Sequence, residues 1–268
     1  MKKLILSLSL ALFAISCSSN DDDETTVPVE ETPVLPTKSS SSNESPATIK
    51  YNGNKILEST WVDGKFVYEY TGNLISKTIE YNAAGNKIGT TDFTYSNDKL
   101  IKVVNTGTNF SETITYSYPT ANTINATDTR NSTFMGSPIV NKDVVTYTLS
   151  NGNVDSEEST YYHNGVLAGK LSVTFSYDGK NSVCRNILGF DKIMIYNFAR
   201  VDENTSCFNN LLIKNQTNAQ VGYNVSKYKN VNTITYSAAG YPTQIITNQY
   251  NESNQLNSTS TNFFEYNK

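Results

Sequence analysis

The sequence predicts an all-β chain: a long, curved antiparallel meander, a single wound sheet partly rolled on itself. Three observations predict it. Runs such as Leu171-Ser-Val173-Thr-Phe175-Ser-Tyr177 alternate with a period of two, apolar side chains on one face and small hydroxyls on the other. Asn-Gly, Asp-Gly and Ala-Gly pairs punctuate the runs, as hairpins require where φ is positive. A tyrosine closes run after run, as in Tyr70-Thr-Gly, Tyr81-Asn-Ala-Ala-Gly85, Tyr95-Ser-Asn-Asp, Tyr162-His-Asn-Gly165, Tyr177-Asp-Gly and Tyr236-Ser-Ala-Ala-Gly240. Successive tyrosines such as Tyr81 and Tyr95 are one strand plus one tight turn apart, which makes consecutive strands antiparallel neighbours. On this spacing the chain carries about a dozen strands or slightly more, beyond what an open twisted sheet usually holds without curling. No long segment has a helical period.

At the N-terminus, Lys2 and Lys3 precede an apolar run from Leu4 to Ile15. It is too short for a bilayer, which takes about 20 apolar residues, and residues 1–16 are expected to be a signal peptide. Leu12-Phe-Ala-Ile-Ser-Cys17 resembles the lipobox of bacterial lipoproteins. The resemblance implies cleavage before Cys17 and a lipid anchor on it, so that the membrane is a partner. The acidic run Asp21, Asp22, Asp23, Glu24 resembles the surface-export signal of Bacteroidota lipoproteins, which implies the outer membrane with the protein facing the exterior. The same run serves equally as a solvated tether, with the periplasmic face as the alternative. Residues 17–47, rich in Asp, Glu, Thr, Ser and Pro, have almost nothing to bury and are expected to be a flexible spacer. The β domain is then 48–268, opening at Ile49-Lys-Tyr51-Asn-Gly53.

Within it, Phe66, Tyr68 and Tyr70 share a face, as do Ile114, Tyr116 and Tyr118, and Val145, Tyr147 and Leu149. Residues 120–142 lack a turn tyrosine and predict a long loop or irregular hairpin. Residues 182–228 hold Cys184 and Cys207, with a helical turn expected at Arg185-Asn-Ile-Leu-Gly-Phe190. With Cys17 lipidated, the remaining two cysteines are an even pair in an oxidising compartment and predict a disulfide, contributing about 3 kcal/mol; two buried thiols are the alternative. The first strand near Tyr51 and the last near Tyr266 are expected to be open edges, guarded by Lys50, Lys55, Glu265 and Lys268. The tyrosine–Asx–glycine turns resemble the YD (Rhs-type) repeat, and more closely the YD-like lipoproteins of Bacteroidota, across most of residues 48–268. That resemblance implies an extended, curved antiparallel sheet. The glycine-arginine end of a typical YD turn is replaced here by Gly85-Asn86 and Gly240-Tyr241.

The inventory excludes several chemistries. His163 is the single histidine, so neither a Ser-His-Asp triad nor a multi-histidine metal site is available; in its turn it is expected to be solvated. Glu157-Glu158 and Asp202-Glu203 are adjacent pairs that point to opposite faces of a strand. A glycosidase pair would therefore need carboxylates from different strands. No catalytic residue, metal ligand or cofactor is assigned. Losing Lys2 and Lys3 with the leader takes the formal charge from −4 to −6, with no electrostatic footprint for nucleic acid. Eighteen Tyr and eleven Phe are expected to cover the apolar sheet face, glycan stacking being the alternative. Trp61, beside the Asp63-Gly64 turn, is the candidate ligand-binding residue. A membrane-spanning barrel is disfavoured, because the runs of eight or nine residues fall short of the 9–11 or so needed to span and their second face is Thr and Asn. The expected protein is a non-enzymatic, monomeric, outer-membrane-anchored lipoprotein that binds a glycan or envelope protein or plays a structural part. The alternatives are an accessory to envelope assembly or secretion and a polysaccharide hydrolase.

Overall fold

The computed structural model describes residues 32–42, 45–134, 136–200 and 203–268; Cys17 and Asp21 to Glu24 lie outside them. Among the described residues sixteen strands follow one another. They are β1 (Pro36–Ser41), β2 (Ala47–Asn52), β3 (Lys55–Trp61), β4 (Gly64–Thr71), β5 (Leu74–Asn82), β6 (Lys87–Ser96), β7 (Lys99–Gly107) and β8 (Phe110–Thr120). Then come β9 (Thr123–Phe134), β10 (Ser137–Ser150), β11 (Asn153–His163), β12 (Val166–Asn181), β13 (Asn209–Gln220), β14 (Ser226–Tyr236), β15 (Pro242–Tyr250) and β16 (Leu256–Tyr266). Each pairs antiparallel with its chain neighbours, as the tyrosine spacing predicts.

The sheet is not open or partly rolled: it closes into a barrel. Closure depends on β1, in the stretch expected to be spacer. The folded unit begins at Pro33, not at residue 48, and β1 pairs with β16 from Pro36↔Tyr266 to Ser41↔Asn262 and with β2 at Lys38↔Thr48. Pro36-Thr-Lys-Ser-Ser-Ser41 carries no alternation, so only its partners make it a strand. With no free edge, the expected edge charges do other work. Glu265 pairs with Lys38 at 2.8 Å, Lys50 with Glu58 at 2.9 Å, and Lys55 Nζ donates to the Gly72 carbonyl at 2.7 Å. Residues 120–142, expected to be irregular, run in unbroken register as β9 and β10. The signal missing there was only the tyrosine.

The tyrosines mark β-bulges. The register shifts between Lys50 and Tyr51, Glu69 and Tyr70, Thr94 and Tyr95, Ser176 and Tyr177, and Thr235 and Tyr236. A bulge leaves a ladder group unpaired, and the tyrosine of the next hairpin meets it. Tyr95, Tyr118, Tyr177 and Tyr266 donate to the carbonyls of Ile75, Leu100, Val154 and Pro242 at 2.7–2.8 Å. Each of those carbonyls flanks the bulge of the preceding hairpin. Tyr70 does the same by accepting the Ile56 N–H at 3.1 Å. These stitches lie at one end of the barrel, while Tyr81, Tyr162 and Tyr250 sit at register shifts at the other. Tyr95→Phe should cost about 1–2 kcal/mol by leaving the Ile75 carbonyl unpartnered. Thr115→Ala on the outer face should stay within about 0.5 kcal/mol; thermal melts of the two variants check the contrast.

Candidate functional site

A sixteen-stranded ring is wider than its own side chains can fill; barrels of that size usually leave a channel. Here the chain fills half of it. Residues 182–208 leave β12 and return as β13 at the end where the tyrosine stitches lie, with Asn181 paired to Asn209. They carry two short helices, α1 (Met194–Arg200) and α2 (Glu203–Ser206). The helical turn expected at 185–190 is a run of turns, and the helix lies further on. It has no amphipathic period to detect because Met194 to Phe198 are all buried. Tyr196 packs edge-on against Phe93 of β6 at 5.3 Å, and Phe198 against Phe175 of β12 at 5.0 Å. The helix thus spans the lumen between walls six strands apart. Leu188 N–H donates to the Asn54 carbonyl at 2.9 Å, Tyr70 donates to the Leu188 carbonyl at 3.1 Å, and the Asn186 amide donates to the Val34 carbonyl and the Tyr241 hydroxyl at 3.0 and 2.8 Å.

Cys184 and Cys207 lie in this plug, and no disulfide joins them, contrary to the sequence expectation. Burial pushes the Cys207 thiol up, and its sulfur sits 3.5 Å from the Tyr177 hydroxyl. A buried thiol held neutral is a poor partner in disulfide exchange.

The lumen has two storeys. Around the plug the inward residues are apolar: Ile75, Leu100, Val103, Ile124, Val154 and Leu211 are almost wholly buried. Toward the other end, the mouth, the same inward face turns polar. On β8 the series Tyr118, Tyr116, Ile114 continues as Glu112; on β9 Ile124 and Ala126 lead to Asp128 and Arg130; on β10 Leu149, Tyr147 and Val145 lead to Asp143. Four adjoining cavities of about 710, 610, 400 and 290 Å³ occupy this storey. The first is lined by Trp61, Phe66, β1 serines and Asn262. Phe66 also lines the third, Arg130 and Arg200 line both the second and third, and Lys214 lines the second and fourth.

An ionic cluster forms the floor of the mouth. Asp128 and Asp143 stand directly opposite on β9 and β10, an unfavourable placement for like charges. Arginines compensate. Arg130 bonds Asp143 and lies 3.3 Å from Asp128, while Arg200, the last residue of α1, bonds Asp128 and lies 3.1 Å from Glu112. Glu112 and Asp128 are each 2% exposed, so the plug is held by charges that would otherwise be buried alone. Lys214 pairs with Glu203 at 2.8 Å. Burial pushes the Asp143 carboxyl up in spite of Arg130. Burial likewise pushes Glu157 up to about 7, opposed by Lys214 and reinforced by Glu203 and Asp143.

Trp61 is at the mouth, its ring 5.0 Å from Phe66. His163 is exposed at the rim, its Nδ1 2.9 Å from the Asn141 side-chain oxygen. Glu157 faces the lumen, while Glu158 faces out to Ser172; Glu203 faces in and Asp202 lies outside the described residues. Glu112, Asp128, Arg130, Asp143 and Arg200 are functional-site residues not singled out from the sequence. A signal existed for the strand residues: a charge occupying the next inward slot of an apolar series.

On β8 and β9 the outer face is polar, while Ile101, Val140, Val144 and Leu167 are exposed on other strands. β8 turns Ser111, Thr113, Thr115 and Ser117 outward, and β9 turns Asn125, Thr127, Thr129 and Asn131 outward. A membrane barrel presents an apolar band about 25 Å tall there. Strand length no longer argues against spanning, since β8 to β12 have 11 to 16 residues; the outward hydroxyls and amides of β8 and β9 do. Among the described residues no helix is long and apolar enough to cross a membrane.

No protein-family model matches the sequence, and none of the curated proteins does. The fold is shared with a porin-like protein from Bacteroides vulgatus, solved by crystallography. The TM-score is 0.59 at 13% identity, over 88% of this chain and 99% of that one. A porin-like protein from Bacteroides uniformis gives a TM-score of 0.47 at 11% identity, over 87% of this chain and 99% of that one. The class defined by fold and site is a closed, plugged sixteen-stranded barrel with a polar cup.

Glu157 gives a stability test. Its folded carboxyl at about 7 stands above the ordinary 4.5, so the folded chain holds that proton more tightly than the unfolded one. The contribution to stability is full below about pH 4.5 and is lost as pH rises through about 7. Glu157→Gln should match the wild type at about pH 4 and melt higher at about pH 8, with about 3 kcal/mol as the ceiling. Equal melting temperatures at both pH values would contradict this.

Proposed function

We propose that this protein is a non-enzymatic ligand-binding lipoprotein of the outer membrane, a cup that receives part of a glycan or of an envelope molecule at its open end. The observation that carries the reading is the two-storey lumen, closed below by α1 and its apolar packing and open above as polar cavities. Small-ligand sites are concave, with a few placed polar groups over an apolar body. Trp61 and Phe66 at the mouth offer ring faces to a sugar. The solved relative is described as porin-like, but a pore reading for this chain is opposed by the plug and by the Ser, Thr and Asn turned outward. A hydrolase reading gains acidic groups in the cup, yet Asp128 and Asp143 are engaged by arginines rather than poised across a gap.

Trp61 is the sole tryptophan, so its emission reports on the mouth directly. Titrating the purified chain with bacterial and host oligosaccharides should quench or shift that emission saturably. Trp61→Ala should abolish the accompanying rise in melting temperature. No response across a broad panel would remove the glycan reading and leave a protein ligand.

The anchor belongs to the same proposal: an exported lipoprotein of Bacteroidota type with degenerate YD-like repeats, lipidated at Cys17, with Asp21 to Glu24 directing it to the exterior. The polar outer face of β8 and β9 is compatible with a domain held beside the membrane by a tether. Cys17→Ala should release the protein from the membrane fraction. Replacing Asp21 to Glu24 with alanine should protect it from protease added to intact cells. Membrane retention of Cys17→Ala would refute the anchor.

A further inference from the structure

Among the described residues the exposed large apolar side chains gather at the mouth. Val62 stands in the β3–β4 turn, Ile88 lies at the start of β6, Val166 opens β12, Val221 and Tyr223 lie in the β13–β14 turn, and Leu256 opens β16. The turns at the plugged end, 53–54, 72–73, 97–98, 121–122 and 151–152, carry no large apolar residue. Leu57, Ile101 and Phe263 are exposed singly along the wall, which is normal for a protein surface. The rim differs in degree: Val62 is 66%, Val166 70% and Tyr223 74% exposed. Turns are ordinarily built from Gly, Asn, Asp and Ser, so apolar tips on separate mouth hairpins mark a surface that is covered in use.

Lysines surround these tips. Lys87, Lys142, Lys170 and Lys227 are exposed within three residues of Ile88, Val140, Leu167 and Val225. Among the described residues none of the four makes an ion pair. Asp63 and Glu252 are the acids of the described mouth turns.

We propose that the rim is a docking surface for a bilayer carrying anionic lipids, the apolar tips entering the head-group region and the lysines meeting the phosphates. Apolar side chains bordered by Lys are the composition that binds in the plane of such an interface. A fluid bilayer also conforms to tips set apart around an open cavity, whereas a protein partner needs a packed apolar centre. A second copy is the poorer occupant, because rim-to-rim contact sets one lysine collar against another. The anchor proposed at Cys17 does not stand in the way. The segment it heads joins β1 at the plugged end, and its sixteen residues to Thr32 reach about 53 Å when extended. The eleven residues of β11 rise about 36 Å, so anchor and rim can engage one membrane. The inference concerns the rim and stands whatever the cup receives; docked, the cup faces lipid head groups.

Trp61, the sole tryptophan, precedes Val62 and reads insertion of the rim separately from any attachment through Cys17. The test adds the purified full chain to vesicles of roughly three parts phosphatidylcholine to one part phosphatidylglycerol, with bromine on the acyl chains near the head groups. Trp61 emission should be quenched saturably, and phosphatidylcholine alone should need at least about five-fold more lipid for the same quenching. Lys142→Glu and Lys227→Glu should each weaken the response about five-fold. Tyr223→Ser combined with Val225→Ser, on hairpins away from Trp61, should weaken it about ten-fold. All these positions are exposed, so melting without vesicles should match the wild type. Unquenched emission from chain that sediments with the vesicles shows attachment through the anchor alone and overturns the docking rim. Equal quenching without phosphatidylglycerol overturns the anionic surface, and a dimer in sedimentation velocity that Tyr223→Ser dissolves assigns the rim to a second copy instead. Quenching by vesicles together with silence toward every oligosaccharide supports the rim and removes the glycan reading of the cup.

Discussion

The structure depends on one geometric constraint: a ring of sixteen strands encloses more space than inward side chains can fill. Residues 182–208 answer it by placing an almost wholly buried helix across one half of the lumen. That half then becomes an ordinary apolar core, with Phe93 and Phe175 gripping α1 from either side. The half left unfilled is the cup, and its polar lining follows, because inward residues there face solvent rather than a helix. The end of α1 marks the boundary. Arg200 reaches the buried carboxylates of Glu112 and Asp128, so the ionic cluster is both the roof of the core and the floor of the cup.

Closure brings a second requirement. Bulges bend the strands and sharpen their twist, but each leaves a backbone group in want of a partner. The tyrosines at the plugged end supply it, each reaching from one hairpin to the bulge of the hairpin before. Tyr70, Tyr95, Tyr118, Tyr177 and Tyr266 thus belong to the sheet itself, pinning its bulges at the plugged end. Trp61 and Phe66, by contrast, line a cavity at the mouth.

Much of the sheet was legible along the chain. Alternation, Asn-Gly turns and tyrosine spacing placed the antiparallel neighbours, and Asn151 and Gly152 adopt the positive φ values such turns need. The candidate site was less legible, though not invisible. Glu112, Asp128 and Asp143 each continue an apolar inward series by one more alternate position, so strand periodicity assigns them to the lumen once the series is extended. Arg200 had no such signal, because a buried helix without amphipathic contrast resembles any short apolar run.

By itself the sequence determined local conformation, because the side-chain period, turn chemistry and backbone preference act over a few residues. It placed the strands, their antiparallel order and the small hydroxyls of the outer face. Only the tertiary structure decided that the sheet closes, since β1 has no intrinsic strand signal and exists through its pairing with β16. Only the tertiary structure, too, decided which end is filled and which acids meet, because Glu112, Asp128, Glu157 and Arg200 come from separate elements. Nothing short of the closed ring sets the distances between them.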